Sequence, residues 1–276
     1  MLFSLSITAP GWYDGAVSYM PSQELHENDK KVFAFILAYN CATLLENAWR
    51  NFPLELFDAV IIADDGSTDD TLAVAKRLAG GNAFTHPHRG YGGNLKFALA
   101  KSVELGAEYM VELHGDGQFD ASATPTAVKK LRDGCDFVLG NRFIDLLQPL
   151  RDGMDLIRYC GNLTLSSMGR VVLGIPHRDL FTGLRAYSRR LAESVDFTRG
   201  SDDYFYSFEI ICQARFAGLS FCSVPTRGDY RKAHTSMALW KGVVEIFQTA
   251  YVLFAYLLAR LGIKTGVFAS LKKTSP

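Results

Sequence analysis

Two short stretches hold the residues best suited to chemistry. The first, Val111–Asp120, reads V-E-L-H-G-D-G-Q-F-D. An apolar run ending at Leu113 stops at two glycines that flank one carboxylate, so Asp116 is expected where a buried strand opens into a loop. Gly115 and Gly117 carry no Cβ, which lets a ligand approach that carboxylate and the amide of Gln118 closely. An ordinary glycine turn explains the stretch equally well when it is taken alone. The second stretch, Ile61–Asp70, reads I-I-A-D-D-G-S-T-D-D. In a parallel sheet, two strands that end in acidic, glycine-containing loops bring those loops to one edge, where open α/β sheets bind ligands. Asp69 and Asp70 are set aside, because acids in a first helical turn favour the helix dipole.

The elements that must position these loops can be read from periodicity. Val32–Tyr39 is a continuous apolar run and predicts a strand buried on both faces. A helix follows over Ala42–Asn51, then a strand over Ala59–Ala63. A second helix, capped by Ser67 or Thr68, runs to about Leu78, where Gly80 and Gly81 end it. A short strand at Phe84–Thr85, a helix over Leu95–Leu105, a strand over Val111–Leu113, a helix over Ala121–Arg132 and a strand over Phe137–Leu139 continue the alternation. That order specifies an α/β fold with a mainly parallel sheet covered by helices on both faces. The second half is less regular: helices over Leu156–Val172 and, amphipathically, Phe205–Ala217, and a strand over Leu219–Pro225. An apolar helical pattern then runs from about Met237 to Leu261. Its uncharged core, Ile246–Ala259, is shorter than a bilayer span requires. With Lys241, Arg260, Lys264, Lys272 and Lys273 around it, this helix is expected either in a membrane interface or packed on protein. Three regions result: an arm over residues 1–30, a domain over 31–236 and a C-terminal helix with a basic tail over 237–276.

Composition narrows the classes further. The 276 residues are 48% hydrophobic, ample for a large core, and 29 Lys+Arg balance 29 Asp+Glu. No global basic field of the kind nucleic-acid binders use is present, so no nucleic-acid partner is expected. The five cysteines form no C-x-x-C pair and are expected as reduced thiols in a cytosolic setting. No signal-peptide pattern is seen at the N-terminus. A dinucleotide-binding dehydrogenase is disfavoured, since no G-x-G-x-x-G turn follows the first strand.

Six motifs in order now carry a resemblance: F-I-L-A-Y-N, A-D-D-G-S-T-D-D-T, R-G-Y-G-G-N, H-G-D-G-Q, G-N-R-F and D-L-F-T-G-L-R-A-Y. Together, over about residues 32–236, they resemble the family 2 glycosyltransferases of GT-A fold. The branch they look like includes dolichol-phosphate mannose and glucose synthases and related bacterial enzymes. The resemblance implies that Ala38, Tyr39, Asp64 and Asp65 hold the base and ribose of a nucleotide sugar, for carboxylates accept hydrogen bonds from hydroxyls and ring N–H groups. Gly93, in the turn Arg89–Asn94, would bring helix amides to the donor, although a plain turn fits equally. Asp116 would hold Mg²⁺ or Mn²⁺ on the donor diphosphate, with Gln118 adding an amide oxygen. His114 stands where the family has the first of two aspartates; it is a ligand for softer metals, or else it faces the substrate. Cys41 is a second departure, at a position where many relatives carry Glu.

On the acceptor side the resemblance places Arg142, Arg185 and Arg231 against phosphates, which guanidinium grips bidentately. Arg158 and Asp179 are implied as catalytic groups beside Asp116. Asp179 would orient the acceptor or an arginine, or serve as the general base that an alcohol acceptor needs and a phosphate acceptor does not. The implied activity is inverting transfer from a UDP- or GDP-sugar to a polyprenyl phosphate, by a cytoplasmic protein peripheral to the membrane. A glycan or protein hydroxyl acceptor, a silent nucleotide-sugar scaffold and homo-oligomer formation stay open.

Overall fold

The computed structural model describes residues 30–117, 121–228, 230 and 239–271. The arm expected over residues 1–30 lies outside them except for Lys30, as do Gln118, Arg231 and the basic tail from Lys272. The strands are β1 (Val32–Ala38), β2 (Ala59–Asp64), β3 (Ala83–Thr85), β4 (Tyr109–His114), β5 (Phe137–Asn141), β6 (Arg185–Ser188) and β7 (Phe221–Pro225). The helices are α1 (Ala42–Asn51), α2 (Thr71–Ala79), α3 (Tyr91–Glu104), α4 (Thr124–Arg132), α5 (Gln148–Arg151), α6 (Leu156–Leu173), α7 (Arg189–Ser194), α8 (Tyr206–Phe216) and α9 (Leu239–Arg260). All belong to one unit, Lys31–Pro276.

One sheet, in the order β3-β2-β1-β4-β6-β5-β7, organises the unit. Every pairing is parallel except the two made by β6. Side chains of successive strand residues point to opposite faces, and β1 shows it directly. Phe33, Phe35 and Leu37 enter one core, while Val32, Ala34, Ile36 and Ala38 enter the other. Strand β1 is therefore apolar throughout because both of its faces are covered.

Three expectations need correction. Helix α2 begins at Thr71, not after Ser67 or Thr68, because the Asp69 carboxylate accepts the Thr71 amide at 2.9 Å and its hydroxyl at 2.5 Å. Ser67 and Thr68 instead tie the loop after β2 to the loop after β1. The Ser67 hydroxyl accepts the Asn40 amide at 2.9 Å, and the Thr68 amide donates to Asn40 Oδ1 at 2.8 Å. Asn40 is the one non-glycine residue with positive φ among the described residues. Helix α8 is not amphipathic: nine of its residues are buried, from Tyr206 to Phe216, because it packs against α9 and the turn at Gly266–Phe268 and shares a core with Phe35 and Phe137 of the sheet. Lastly, the cysteines are not all reduced. Cys135 and Cys222 form a disulfide beside the β5–β7 pairing, and Cys41, Cys160 and Cys212 are free.

Helix α9 packs against α6 and α8. Val252, Leu253, Ala255, Tyr256 and Ala259 join the larger core. Its other side leaves Val244, Phe247, Tyr251, Phe254 and Leu257 exposed at helical spacing, Phe247 at 71%. No helix among the described residues is long and apolar enough to cross a membrane.

Candidate active site

Parallel strands finish on the same side, so the carboxyl ends of β1, β2, β3, β4, β5 and β7 share one sheet edge, and β6, running oppositely, starts there. Read across that edge, the residues are Thr85, Asp64 and Asp65, Tyr39, His114 and Asp116, Gly183, Arg142 and Thr226. The convergence expected from the two acidic loops is present. Asp116 sits in its middle, half-buried in the turn after β4. With strands roughly 4.8 Å apart, β5 lies about 10 Å from β4.

On the β2 side, both aspartates are bonded within the protein. Asp65 is buried; it accepts the amides of Arg89 and Gly90 at 2.8 Å each and lies 2.9 Å from His88 Nδ1. Asp64, also buried, accepts the Thr85 hydroxyl at 2.7 Å and the Ser67 amide at 3.3 Å. The Ala38 carbonyl accepts the Asp65 amide at 3.0 Å. These three shape the loops at the edge where a base and ribose are expected, and each carboxylate keeps acceptor capacity beyond these bonds. Tyr39 is the residue that does face outward, 45% exposed and stacked on His88 with 4.3 Å between ring centroids. His88 was not among the expected site residues.

The glycines of R-G-Y-G-G-N form the first turn of α3, and their task is close packing. A Cβ on Gly92 would lie 2.6 Å from the Asp203 carbonyl oxygen and 2.7 Å from that of Ser201. The Gly93 amide donates to the Asp202 carbonyl at 3.2 Å, and a Cβ there would meet Arg89 Cβ at 2.5 Å. Gly93 thus has its amide turned to protein, correcting the expectation that it meets the donor. The same loop is clamped by charge: Asp202 accepts Arg89 Nη2 at 2.7 Å and Lys96 Nζ at 2.8 Å. Gly92→Ala is accordingly expected to destabilise the protein by about 1–3 kcal/mol, the usual cost of forcing a methyl into packed structure. Chemical denaturation checks this; an unchanged midpoint would mean that the loop yields freely.

At the β4 end a network appears that the sequence reading missed. Glu112 is fully buried and accepts the hydroxyls of Tyr91 and Tyr187 at 2.5 Å each, with His114 Nε2 at 3.3 Å. Burial pushes its pKa up, but the His114 hydrogen bond and charge, Arg185 and Tyr187 outweigh it and hold the carboxyl below its ordinary range. His114 is shifted the other way: burial lowers it, and the Glu112 and Asp116 carboxylates more than compensate, so its pKa is raised. Nε2 also lies 3.2 Å from the Gly183 carbonyl. Between two acceptors it carries the proton, and it has no lone pair for a metal, which corrects the ligand reading at that atom. The one signal in sequence was a glutamate inside a strand buried on both faces.

Across β6, Arg142 is buried and gripped by Asp179 at 2.6 and 2.8 Å. It also donates to the Tyr230 hydroxyl at 2.6 Å and the Phe181 carbonyl at 2.9 Å. Asp179 therefore holds an arginine and is not available as a general base. Arg158 lies with its guanidinium 5.8 Å from the Tyr230 ring centroid, so Tyr230 links the two arginines. Arg185 is a correction: fully buried, it spends its guanidinium on the carbonyls of Thr182, Leu180 and Ser207, out of reach of any phosphate. A cavity of about 320 Å³ opens beside Arg142, lined also by Ser122, Asn141, Ile144, Gln148 and Thr226. The Thr226 hydroxyl is buried there with no partner among the described residues.

The sheet edge thus sets the half-buried carboxylate of Asp116 between an aromatic half and an arginine half. Residues 34–196 match the model of glycosyl transferase family 2. The chain belongs to glycosyl transferase family 2. It is a glycosyltransferase of GT-A fold. Within the family it is 27% identical over 242 residues to the UDP-N-acetylglucosamine–dolichyl-phosphate N-acetylglucosaminyltransferase of Methanococcus voltae, covering 81% of this chain and 94% of that one. It is 27% identical over 185 residues to the polyprenol monophosphomannose synthase of Mycolicibacterium smegmatis, covering 60% and 64%. The same fold occurs in glucosyl-3-phosphoglycerate synthase from Mycobacterium tuberculosis, solved with Mn²⁺, UDP-glucose and phosphoglyceric acid. That match has a TM-score of 0.60 and 20% identity, and covers 90% of this chain and 87% of that one. Among the described residues of this family 2 chain, no group of three or more His, Cys, Asp or Glu could hold a metal ion. The hard carboxylate of Asp116 still suits Mg²⁺ or Mn²⁺, for Mg²⁺ is commonly held by one or two carboxylates and completed by substrate phosphates and water.

Proposed function

We propose that this glycosyltransferase moves a sugar from a UDP- or GDP-sugar to the phosphate of a polyprenyl phosphate, with inversion at the anomeric carbon. The observation that carries this reading is the state of the carboxylates around the Arg142 cavity. Asp179 is held by Arg142, Asp152 by Arg227 and Asp145 by Arg151. A hydroxyl acceptor needs a base to take its proton, and each of these carboxylates is neutralised by an arginine. A phosphate arrives already ionised and needs an anchor, for which Arg158 and the remaining Nη1–H of Arg142 are the groups at hand.

One phosphate oxygen forms the new bond to the anomeric carbon as the bond to the nucleoside diphosphate breaks. The diphosphate leaves with the electron pair. Asp116 would hold Mg²⁺ or Mn²⁺, whose charge eases that departure. Tyr39 and His88 offer the exposed ring pair on which a base can stack. The open apolar stripe of α9 suits the hydrocarbon of a lipid acceptor and supports a peripheral position on the cytoplasmic face of a membrane. The activities named for the Methanococcus voltae and Mycolicibacterium smegmatis relatives support this acceptor class.

The test offers purified enzyme UDP-N-acetylglucosamine, UDP-glucose and GDP-mannose, each radiolabelled, with Mn²⁺ and either a polyprenyl phosphate or water-soluble acceptors. Label should move into the organic phase as an acid-labile product. Label transferred only to water-soluble acceptors would overturn the lipid reading and leave the family assignment standing.

A further inference from the structure

Three aromatic rings form a ladder at the β4 end. Tyr91 is the middle rung, with His114 at 5.9 Å and an interplanar angle of 13°, and Tyr204 at 4.9 Å and 17°. The Tyr91 hydroxyl is fixed to buried Glu112, so this rung cannot swing. Tyr204, the outer rung, is 69% exposed, although its neighbours Phe205 and Tyr206 are buried.

The support beneath Tyr204 is built, not incidental. Asp202 is clamped by Arg89 and Lys96, the Lys96 ammonium also reaches the Gly200 carbonyl at 2.5 Å, and Asp203 accepts the Phe205 amide at 2.8 Å. Gly92 and Gly93 let the loop sit directly on α3. An exposed aromatic fixed at one ring's remove from a ligand-binding strand end is poised to stack.

We propose that Tyr204 is a specificity-determining residue that stacks on the apolar C–H face of the transferred sugar in the donor. The inference rests on the donor reading above and deepens it. With the diphosphate at Asp116, the sugar is the part of the donor beyond the diphosphate, and a bare nucleoside diphosphate has nothing to place on this ring. The residue thus separates the sugar-bearing nucleotide from the product nucleotide.

Calorimetric titration with Mn²⁺ tests it, using UDP against UDP-glucose and GDP against GDP-mannose on wild type, Tyr204→Ala and Tyr204→Phe. For the pair that binds, Tyr204→Ala should weaken the nucleotide sugar about tenfold, the scale of one aromatic stack, and leave the bare diphosphate within about twofold. Tyr204→Phe, which keeps the ring, should match wild type on both ligands. Equal weakening of both ligands, or of neither, overturns the proposal while the donor site stands. A wild type that binds none of the four removes the donor reading, and this inference with it.

Discussion

Asp116→Asn is expected to lower kcat/KM for sugar transfer by about a thousandfold or more, with the fold intact. The substitution is nearly isosteric and lies in a half-buried turn, so little packing is lost. Its neighbours fix the position. The Gly115 amide donates to the Leu37 carbonyl at 2.9 Å, continuing the β1–β4 pairing, and Gly117 has a φ of 66° that a side chain would strain. What changes is the charge: without the carboxylate, a divalent cation on the donor diphosphate would lose the carboxylate proposed to hold it. Several kcal/mol of leaving-group stabilisation correspond to three or more decades in rate. The companion measurement is thermal. Nucleotide at a hundred times its Kd should stabilise the wild type by about 2.7 kcal/mol in the presence of Mn²⁺, and the variant far less. Transfer within tenfold of wild type would take Asp116 out of the reaction.

Asp179→Ala should be the most damaging change to stability. It strands the Arg142 guanidinium in a buried site, and breaking a buried pair on one side typically costs about 3–5 kcal/mol. For a chain of this size that is a fall in Tm of roughly 6–15 °C. Replacing both partners removes the stranded charge, so Asp179→Leu combined with Arg142→Met should recover much of the loss. Transfer activity should stay low in the double variant, since the phosphate anchor is gone. Recovery of stability and activity together would make the pair purely architectural. A single variant as stable as wild type would mean that water reaches Arg142.

Long apolar runs made much of this fold legible. Strand β1 and helix α1 are found where periodicity puts them, because a strand buried on both faces and a ten-residue helix closed by the Pro53 region leave patterns longer than the noise. The meeting of two acidic loops followed from parallel topology alone. Strand β6 was invisible, since R-A-Y-S is too short to display alternation. Its arginine is implied as a phosphate ligand until the carbonyls of Leu180, Thr182 and Ser207 are seen around it. The glycines at 92 and 93 misled for a related reason: glycine permits close approach without saying whether a phosphate or another backbone arrives. Asp64 and Asp65 stand at the expected edge and also tie its loops together, whereas Tyr39 and His88 make the outward surface. Which acids are spent on internal partners is a tertiary fact that spacing does not encode.

The late arrival of β6 has a consequence for how the chain is made. β3, β2, β1 and β4 are complete once residue 114 has left the ribosome, but β5 cannot dock until β6, at Arg185–Ser188, slides between it and β4. At ordinary translation rates this leaves β4 as an open edge for on the order of ten seconds. That edge carries Met110, Val111 and Leu113, an apolar template for pairing with another nascent chain. Overproduction should therefore fail first through aggregates seeded at this strand, and slower synthesis at lower temperature or chaperone cover of that interval is where soluble yield is to be gained.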